Sequence, residues 1–252
     1  MKGRIMELYY TVLAGIFGLV AGSFSNVCIC SLPKKEDFTH RRSHCMSCGT
    51  TLKWYDLIPV ASYIFLRGKC RYCGNKISVQ YPAIELLTCI AYTVIFKVKG
   101  PSLLSVLYCL FASALIILSV IDIRTREIPF GINVFIGIVG IAVTAADYTN
   151  WYRHITGAFC VSIPLFIVYL ATHGIGMGGG DIKLSVAAGL VLGWKATLTG
   201  FFLACILGTV LHLIIMKVKK ADHSLAFGPY LAMGFYIALL YGEQLLYLMY
   251  GI

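Results

Sequence analysis

Two aspartates stand where a carboxylate is costly. Asp122 closes the apolar run Leu118-Ser119-Val120-Ile121-Asp122-Ile123-Arg124, and Asp181 follows the glycines of Gly176-Met177-Gly178-Gly179-Gly180-Asp181-Ile182-Lys183. An ionisable group at a membrane edge is expensive and functional by default. Two carboxylates brought together there can share one proton, one held protonated and the other ionised. The ionised one takes a proton from water and the protonated one polarises a scissile carbonyl, which is the chemistry of an aspartyl protease. Gly178, Gly179 and Gly180 would let a substrate backbone approach where a side chain would block it, and Lys183 is placed to tune Asp181. Plainer roles exist. Asp122, followed by Arg124, Arg126 and Glu127, could be a helix-end charge in a salt-bridged loop. Asp181 could be an N-cap or first-turn acid, with Lys183 paired to either aspartate. A transporter's ion site on glycine-broken helices is a third reading. Against it, no matching glycine-interrupted segment occurs in the first half, and both acids fall at one face and not at the midplane.

A second constellation lies in the one long hydrophilic segment, residues 31–81. It holds Cys45-Met46-Ser47-Cys48 and Cys70-Arg71-Tyr72-Cys73, with 21 residues between the pairs and a glycine after each, Gly49 and Gly74. Two such knuckles read as a tetrahedral four-thiolate zinc site. The two-residue spacing lets both sulfurs of a knuckle face one ion, and the glycine relaxes the turn. A segment this short cannot easily build a core, so a metal staple makes physical sense. Four thiolates close the coordination sphere, which predicts a structural zinc without a metal-bound catalytic water. Two disulfides are the alternative, disfavoured where thiols stay reduced. His40 and His44 flank the site and read as solvated loop residues. The other cysteines (Cys28, Cys30, Cys89, Cys109, Cys160 and Cys205) lie in apolar stretches and read as small buried hydrophobes.

The elements that must position these groups are helices in a bilayer. Of 252 residues, 59% are hydrophobic and 13% charged, with mean hydropathy +0.82; a soluble domain would be about a quarter charged. Apolar runs of about 17–25 residues recur, the length of a transmembrane helix. The pattern predicts an all-α polytopic membrane protein of about eight helices, at 8–30, 82–98, 102–122, 130–147, 156–172, 182–193, 196–216 and 226–250. The first run, Leu8 to Cys30, reads as a retained helix and not a cleaved signal. The stretch 182–193 is too short to span upright and reads as a half-helix buried in protein. With the N-terminus outside, segments 31–81, 123–129, 173–181 and 217–225 are cytoplasmic. That side, counting Lys183, carries 15 of the 21 lysines and arginines. The positive-inside rule thus accounts for the net charge of +10, and nucleic acid is an unnecessary partner. The loop's basic residues (Lys34, Lys35, Arg41, Arg42, Lys53, Arg67, Lys69, Arg71 and Lys76) could meet anionic headgroups, though topology alone explains them. Both aspartates fall at the cytoplasmic face. The expected organisation is a first transmembrane helix over 1–30, a cytoplasmic zinc-binding loop over 31–81, and a helical membrane peptidase region over 82–252.

These residues resemble the bacterial type IV prepilin peptidases, the bifunctional leader peptidase/N-methyltransferases that serve type IV pili, type II secretion and competence pseudopili. The resemblance runs almost end to end: Gly22-Ser23-Phe24-Ser25-Asn26-Val27 with Leu32-Pro33; both cysteine knuckles, with Ile58-Pro59 between; Tyr81-Pro82-Ala83-Ile84-Glu85-Leu86; Asp122 with Ile128-Pro129; Gly178-Gly179-Gly180-Asp181 with Lys183; and Phe227-Gly228-Pro229-Tyr230. Ser31 stands where the family often has arginine, and Ala226 where it usually has proline. The resemblance implies an enzyme of the cytoplasmic (inner) membrane with Asp122 and Asp181 as its catalytic pair. Its substrate is the basic leader of a prepilin-like protein, cut after a glycine at the cytoplasmic face. The new N-terminal residue is then methylated from S-adenosylmethionine, an activity the family places in the region including the cysteine loop. No glycine-rich strand–turn–helix marks a methyl-donor pocket in the sequence. The basic leader calls for acids, and Glu36, Asp37, Asp56, Glu85 and Glu127 are candidates to receive it. A peptidase without methyl transfer, and a non-enzymatic transporter or assembly factor with a zinc-stapled loop, are the alternatives.

Overall fold

Missing side chains decide how the first helices meet. In a computed structural model, which describes residues 2–34, 43–174, 178–219 and 226–250, α1 (Lys2–Ser31) runs antiparallel to α3 (Gln80–Lys99). A Cβ on Gly18 would lie 2.7 Å from the Cα of Cys89, and one on Gly22 would lie 2.6 Å from the Cα of Glu85. The two backbones therefore touch. Lipid tails are as apolar as leucine, so close backbone packing of this kind is what joins helices in a bilayer. On the outer face of α1, Leu8, Val12, Ile16, Val20 and Phe24 repeat every four residues and are exposed, an apolar stripe that suits lipid contact.

Between α1 and α3 the loop carries a 3₁₀ turn (Trp54–Leu57), a short α2 (Ala61–Phe65), and two isolated antiparallel bridges, His44 with Thr51 and Lys69 with Lys76. Each bridge closes one cysteine knuckle. These elements belong to one compact unit, residues 1–105; residues 106–252 form a second.

The second unit contains most of α4 (Leu103–Thr125), then α5 (Phe130–Ala146), a 3₁₀ turn (Tyr148–Asn150), α6 (Trp151–Cys160), α7 (Ser162–Ala171), α8 (Gly179–Lys219) and α9 (Gly228–Tyr250). Helices α5, α6 and α9 all pack on α8. A Cβ on Gly140 of α5 would meet the Cβ of Leu190 at 2.6 Å, and Gly157 of α6 lies against the backbone of Gly189. Along α9, Tyr230 faces Gly208, Gly234 faces Gly200 and Gly242 faces Ala196, so α9 runs antiparallel to α8.

Helix α8 breaks at Gly193, whose φ of 74° and ψ of 164° are not helical. The sequence predicts separate helices at 182–193 and 196–216, and the break falls where they adjoin. The 179–192 part packs on both α5 and α6. Leu190, just before the break, has its carbonyl bonded by the His154 ring Nδ1 at 2.9 Å. The expectation of one helix over 156–172 is corrected to two, α6 and α7, meeting at Val161. Pro164 supplies the reason: it has no N–H for the Cys160 carbonyl, and its ring crowds that carbonyl. Ser162 adds to the bend by hydrogen-bonding the Ala158 carbonyl.

Among the described residues, five stretches are long and apolar enough to cross a membrane: Ile5–Ser31, Gln80–Lys99, Leu103–Thr125, Tyr148–Ala171 and Gly179–Ile214. Helix α5 is apolar but shorter. The protein is all-helical, and no strand occurs among the described residues.

Candidate functional site

Asp122 lies near the C-terminal end of α4 and is 5% exposed. The helix stops one turn later, where Arg126 takes a left-handed φ of 56° and its N–H bonds the Asp122 carbonyl at 2.8 Å, a common way to end a helix. The Asp122 side chain has a partner from the far end of the chain. The backbone N–H of Gly228 donates to Oδ2 at 2.9 Å. Gly228 opens α9, with Pro229 in the first turn where a missing N–H costs nothing. The first-turn amides of a helix point outward and favour a negative group, so Phe227-Gly228-Pro229 aims a fixed donor at a buried carboxylate.

Asp181 sits in the first turn of α8. Its N–H bonds the Gly178 carbonyl at 3.2 Å, and Ser185 Oγ bonds its carbonyl at 2.8 Å. The Asp122 charge acts on the Asp181 carboxylate, so the fold brings the two aspartates within electrostatic reach. The glycines have distinct surroundings. A Cβ on Gly178 would lie 3.3 Å from Asp181 Oδ2, and one on Gly180 would press on Ile128 at 3.3 Å, while one on Gly179 would meet open space. Gly180 thus seats the start of α8 on the Ile128-Pro129 turn that follows α4. Lys183 is exposed and its Nζ lies 5.5 Å from the centroid of the Phe130 ring. Among the described residues Lys183 makes no ion pair with either aspartate.

In the first unit the four loop cysteines converge. The Sγ atoms of Cys45, Cys48, Cys70 and Cys73 all lie within 4.8 Å of one another, with Cys45 and Cys73 at 3.9 Å. Tetrahedral thiolates about 2.3 Å from zinc would be about 3.8 Å apart, so the cluster has the size of a metal cage. The two knuckles are built alike. Gly49 N–H bonds the Cys45 carbonyl and Gly74 N–H the Cys70 carbonyl, both at 2.9 Å, with φ of 70° and 72° at the glycines. Cys45 N–H reaches Thr50 and Cys70 N–H reaches Asn75 in the same way. Hydrogen bonds at Thr50 draw the Cys48 thiol down to about 6. The Asn75 amide lowers Cys73, but burial and the neighbouring thiols push it up to about 11. A cation would stabilise all four as thiolates. None of the four is in a disulfide.

The acids proposed for a basic leader separate. Glu36, Asp37 and His40 lie outside the described residues. Asp56 is already taken: Arg71 Nε sits 2.8 Å from Oδ1 and Tyr72 donates to Oδ2. Burial raises its carboxyl, but the bonds from Arg71, the Lys53 N–H and Tyr72 outweigh it and hold Asp56 below the usual carboxylate range. Glu85 is buried, 7% exposed, with its Oε2 bonded to the Val60 N–H. Of the described candidates Glu127 alone is exposed, in the segment that follows α4. The Gly228 contact with Asp122 is one that spacing arguments missed; its signal was present in Phe227-Gly228-Pro229, but nothing local tied that motif to Asp122.

Two family models match the chain. The bacterial peptidase A24 N-terminal domain covers residues 16–98, and the type IV leader peptidase family covers residues 109–213. A prepilin leader peptidase/N-methyltransferase of Bacillus subtilis (strain 168) is 35% identical over 234 residues, 92% of this chain and 94% of that one. A protein of the same name from Vibrio cholerae is 34% identical over 85% of this chain and 89% of its own, and one from Pectobacterium carotovorum is 31% identical over 87% and 89%. No solved structure matches. With relatives this similar over nearly their whole length, the chain belongs to the type IV leader peptidase family.

Proposed function

We propose that this chain is a membrane-embedded aspartyl endopeptidase. It removes the basic leader of prepilin-like proteins after a glycine at the cytoplasmic face, then N-methylates the new N-terminal residue from S-adenosylmethionine. The observation that carries the peptidase reading is the buried Asp122 carboxylate, fixed by the Gly228 amide and within electrostatic reach of Asp181. One carboxyl of such a pair holds the shared proton and polarises the peptide carbonyl; the other draws a proton from the attacking water. Gly178 and Gly179 leave the approach to Asp181 open and Gly180 seats it, and Lys183, two residues on, tunes it. Methyl transfer draws its support from the names that the relatives carry.

The chain crosses the membrane eight times with its N-terminus outside, which places the basic loop and both aspartates in the cytoplasm. Cys45, Cys48, Cys70 and Cys73 hold a structural zinc that staples the loop 31–81. The partner is the leader and first helix of a pilin or pseudopilin in the same bilayer, and Glu127 is the described acid placed to meet leader charge.

The test is leader cleavage by the purified protein, wild type against Asp122→Asn and Asp181→Asn. These changes keep size and remove the ionisable acid. Each single change abolishes cleavage in a folded protein if the pair is catalytic. Cleavage that survives either change makes the pair structural and favours a transporter or assembly role. The mass of the mature pilin N-terminus separates a bifunctional enzyme from a peptidase alone.

A further inference from the structure

Three motifs that the aspartates do not use converge in the first unit. Gly22 brings α1 onto α3 at Glu85. The next residue, Ser23, hydrogen-bonds the Glu85 carboxylate. One turn on, the buried Asn26 donates to the Tyr81 carbonyl at 3.1 Å and accepts from the Gln80 side chain at 3.3 Å. From the loop, the Val60 N–H donates to Glu85 Oε2 at 2.7 Å. Ser23 from the first motif and Val60 from the second thus meet at the Glu85 carboxylate, and Asn26 ties the first motif to Tyr81 in the third. Ser23, Asn26, Tyr81 and Glu85, with Tyr63 and His44, line a cavity of about 610 Å³ that Cys45 and Cys70 of the knuckles also line. That volume suits a ligand of nucleoside size.

The turn that holds Glu85 is strained. Val60 has φ 59° and ψ −48°, and Ala61 N–H bonds the Pro59 carbonyl at 2.6 Å. This is a γ-turn of the rare hand, at a β-branched residue that should avoid positive φ. Strain kept in place by its surroundings marks ligand sites more often than plain scaffold. The charges make the same point. Asp56, which also lines the cavity, is neutralised by Arg71. Among the described residues the donors to Glu85 are neutral, an amide and a hydroxyl. A buried carboxylate without a cation is costly, and a cationic ligand would offset that cost.

We infer that this cavity is the methyl-transfer pocket, that it takes a methylsulfonium nucleoside and the polypeptide's terminal amine, and that Glu85 is the carboxylate facing their cationic centre. This rests on the methyl-transfer half of the proposed function. In the reaction the terminal nitrogen bonds the methyl carbon as the carbon–sulfur bond breaks. The bonding pair leaves on sulfur, which becomes a neutral thioether, and the proton shed by nitrogen passes to Glu85. The second activity thereby has its own carboxylate, distinct from Asp122 and Asp181.

The experiment measures binding of two non-reactive nucleosides to the full-length protein in detergent: sinefungin, with an ammonium near the sulfonium position, and S-adenosylhomocysteine, with a neutral sulfur there. Wild type prefers sinefungin. Glu85→Gln lowers its affinity by about tenfold, the loss of one charge-assisted contact, and abolishes the preference, while leader cleavage persists. If Glu85→Gln does not fold, Ser62, which also lines the cavity, serves instead: Ser62→Phe fills the cavity, leaves the Glu85 carboxylate present and must weaken both nucleosides together. Glu85→Gln with an unchanged preference, or a folded Ser62→Phe with unchanged affinities, overturns the pocket assignment. Wild type that binds neither nucleoside and leaves cut pilin unmethylated overturns the methyl-transfer reading itself.

Discussion

The least conspicuous residue at the aspartate pair offers the sharpest test. Gly228→Ala adds one carbon, and that carbon would lie 2.7 Å from Asp122 Oδ2, 3.1 Å from its Cγ and 3.3 Å from its Cβ. Ordinary contact begins near 3.4 Å, so the carboxylate must retreat by about 0.7 Å or α9 must shift away. Asp122 has little freedom to comply, because it is 5% exposed and its Cβ is fixed by α4. Either movement stretches the 2.9 Å hydrogen bond from the Gly228 N–H. A hydrogen bond to a charged group is worth about 1.5–3 kcal/mol. At about 1.4 kcal/mol per decade that is a loss of roughly 10- to 150-fold in kcat/KM, in the range expected when a catalytic group moves by most of an ångström. Cleavage of a full-length prepilin in detergent, followed by gel mobility at several enzyme concentrations, gives kcat/KM directly. Sinefungin binding in the first unit should not change. A Gly228→Ala protein that cuts at the wild-type rate would refute the claim that this amide positions Asp122.

Other perturbations separate the two sites. Asp122→Asn and Asp181→Asn should each reduce cleavage at least about 10³-fold, since one member of a proton-sharing pair cannot work alone, with thermal melting close to wild type. Metal analysis should find one zinc per chain. Cys48→Ser should lower zinc content and leave the loop 31–81 open to protease, because closed four-thiolate sites hold small folds together. Gly193→Ala places a side chain at φ 74°, which should cost about 1–2 kcal/mol in denaturant melts. Gly22→Val forces α1 off α3 at Glu85, and overpacking of this kind costs about 1–3 kcal/mol; a melt that does not shift would show that the two backbones are not in contact.

What could be read in the sequence was local. The cysteine knuckles follow from two-residue spacing and a glycine, and they recur as a matched pair of turns. The break in α8 fell where two apolar runs adjoin at Gly193. The α6–α7 break was missed because the stretch 156–172 is apolar throughout, and hydropathy is blind to a proline's missing donor. Distance along the chain set the firmer limit. The Gly228 amide reaches Asp122 across 106 residues, and the Val60 amide reaches Glu85 across 25. A main-chain N–H carries no residue identity, so no motif search can see it as a partner. Yet both units solve the same problem this way. Each buries a carboxylate and satisfies it with a backbone donor next to a proline, Gly228 before Pro229 at the start of α9 in one and Val60 after Pro59 in a γ-turn in the other. A lysine or arginine in that role would fix the carboxylate as a permanent anion. An amide holds it in place and leaves its proton free to move, as the acid–base work proposed for Asp122 and the amine deprotonation proposed for Glu85 would both require.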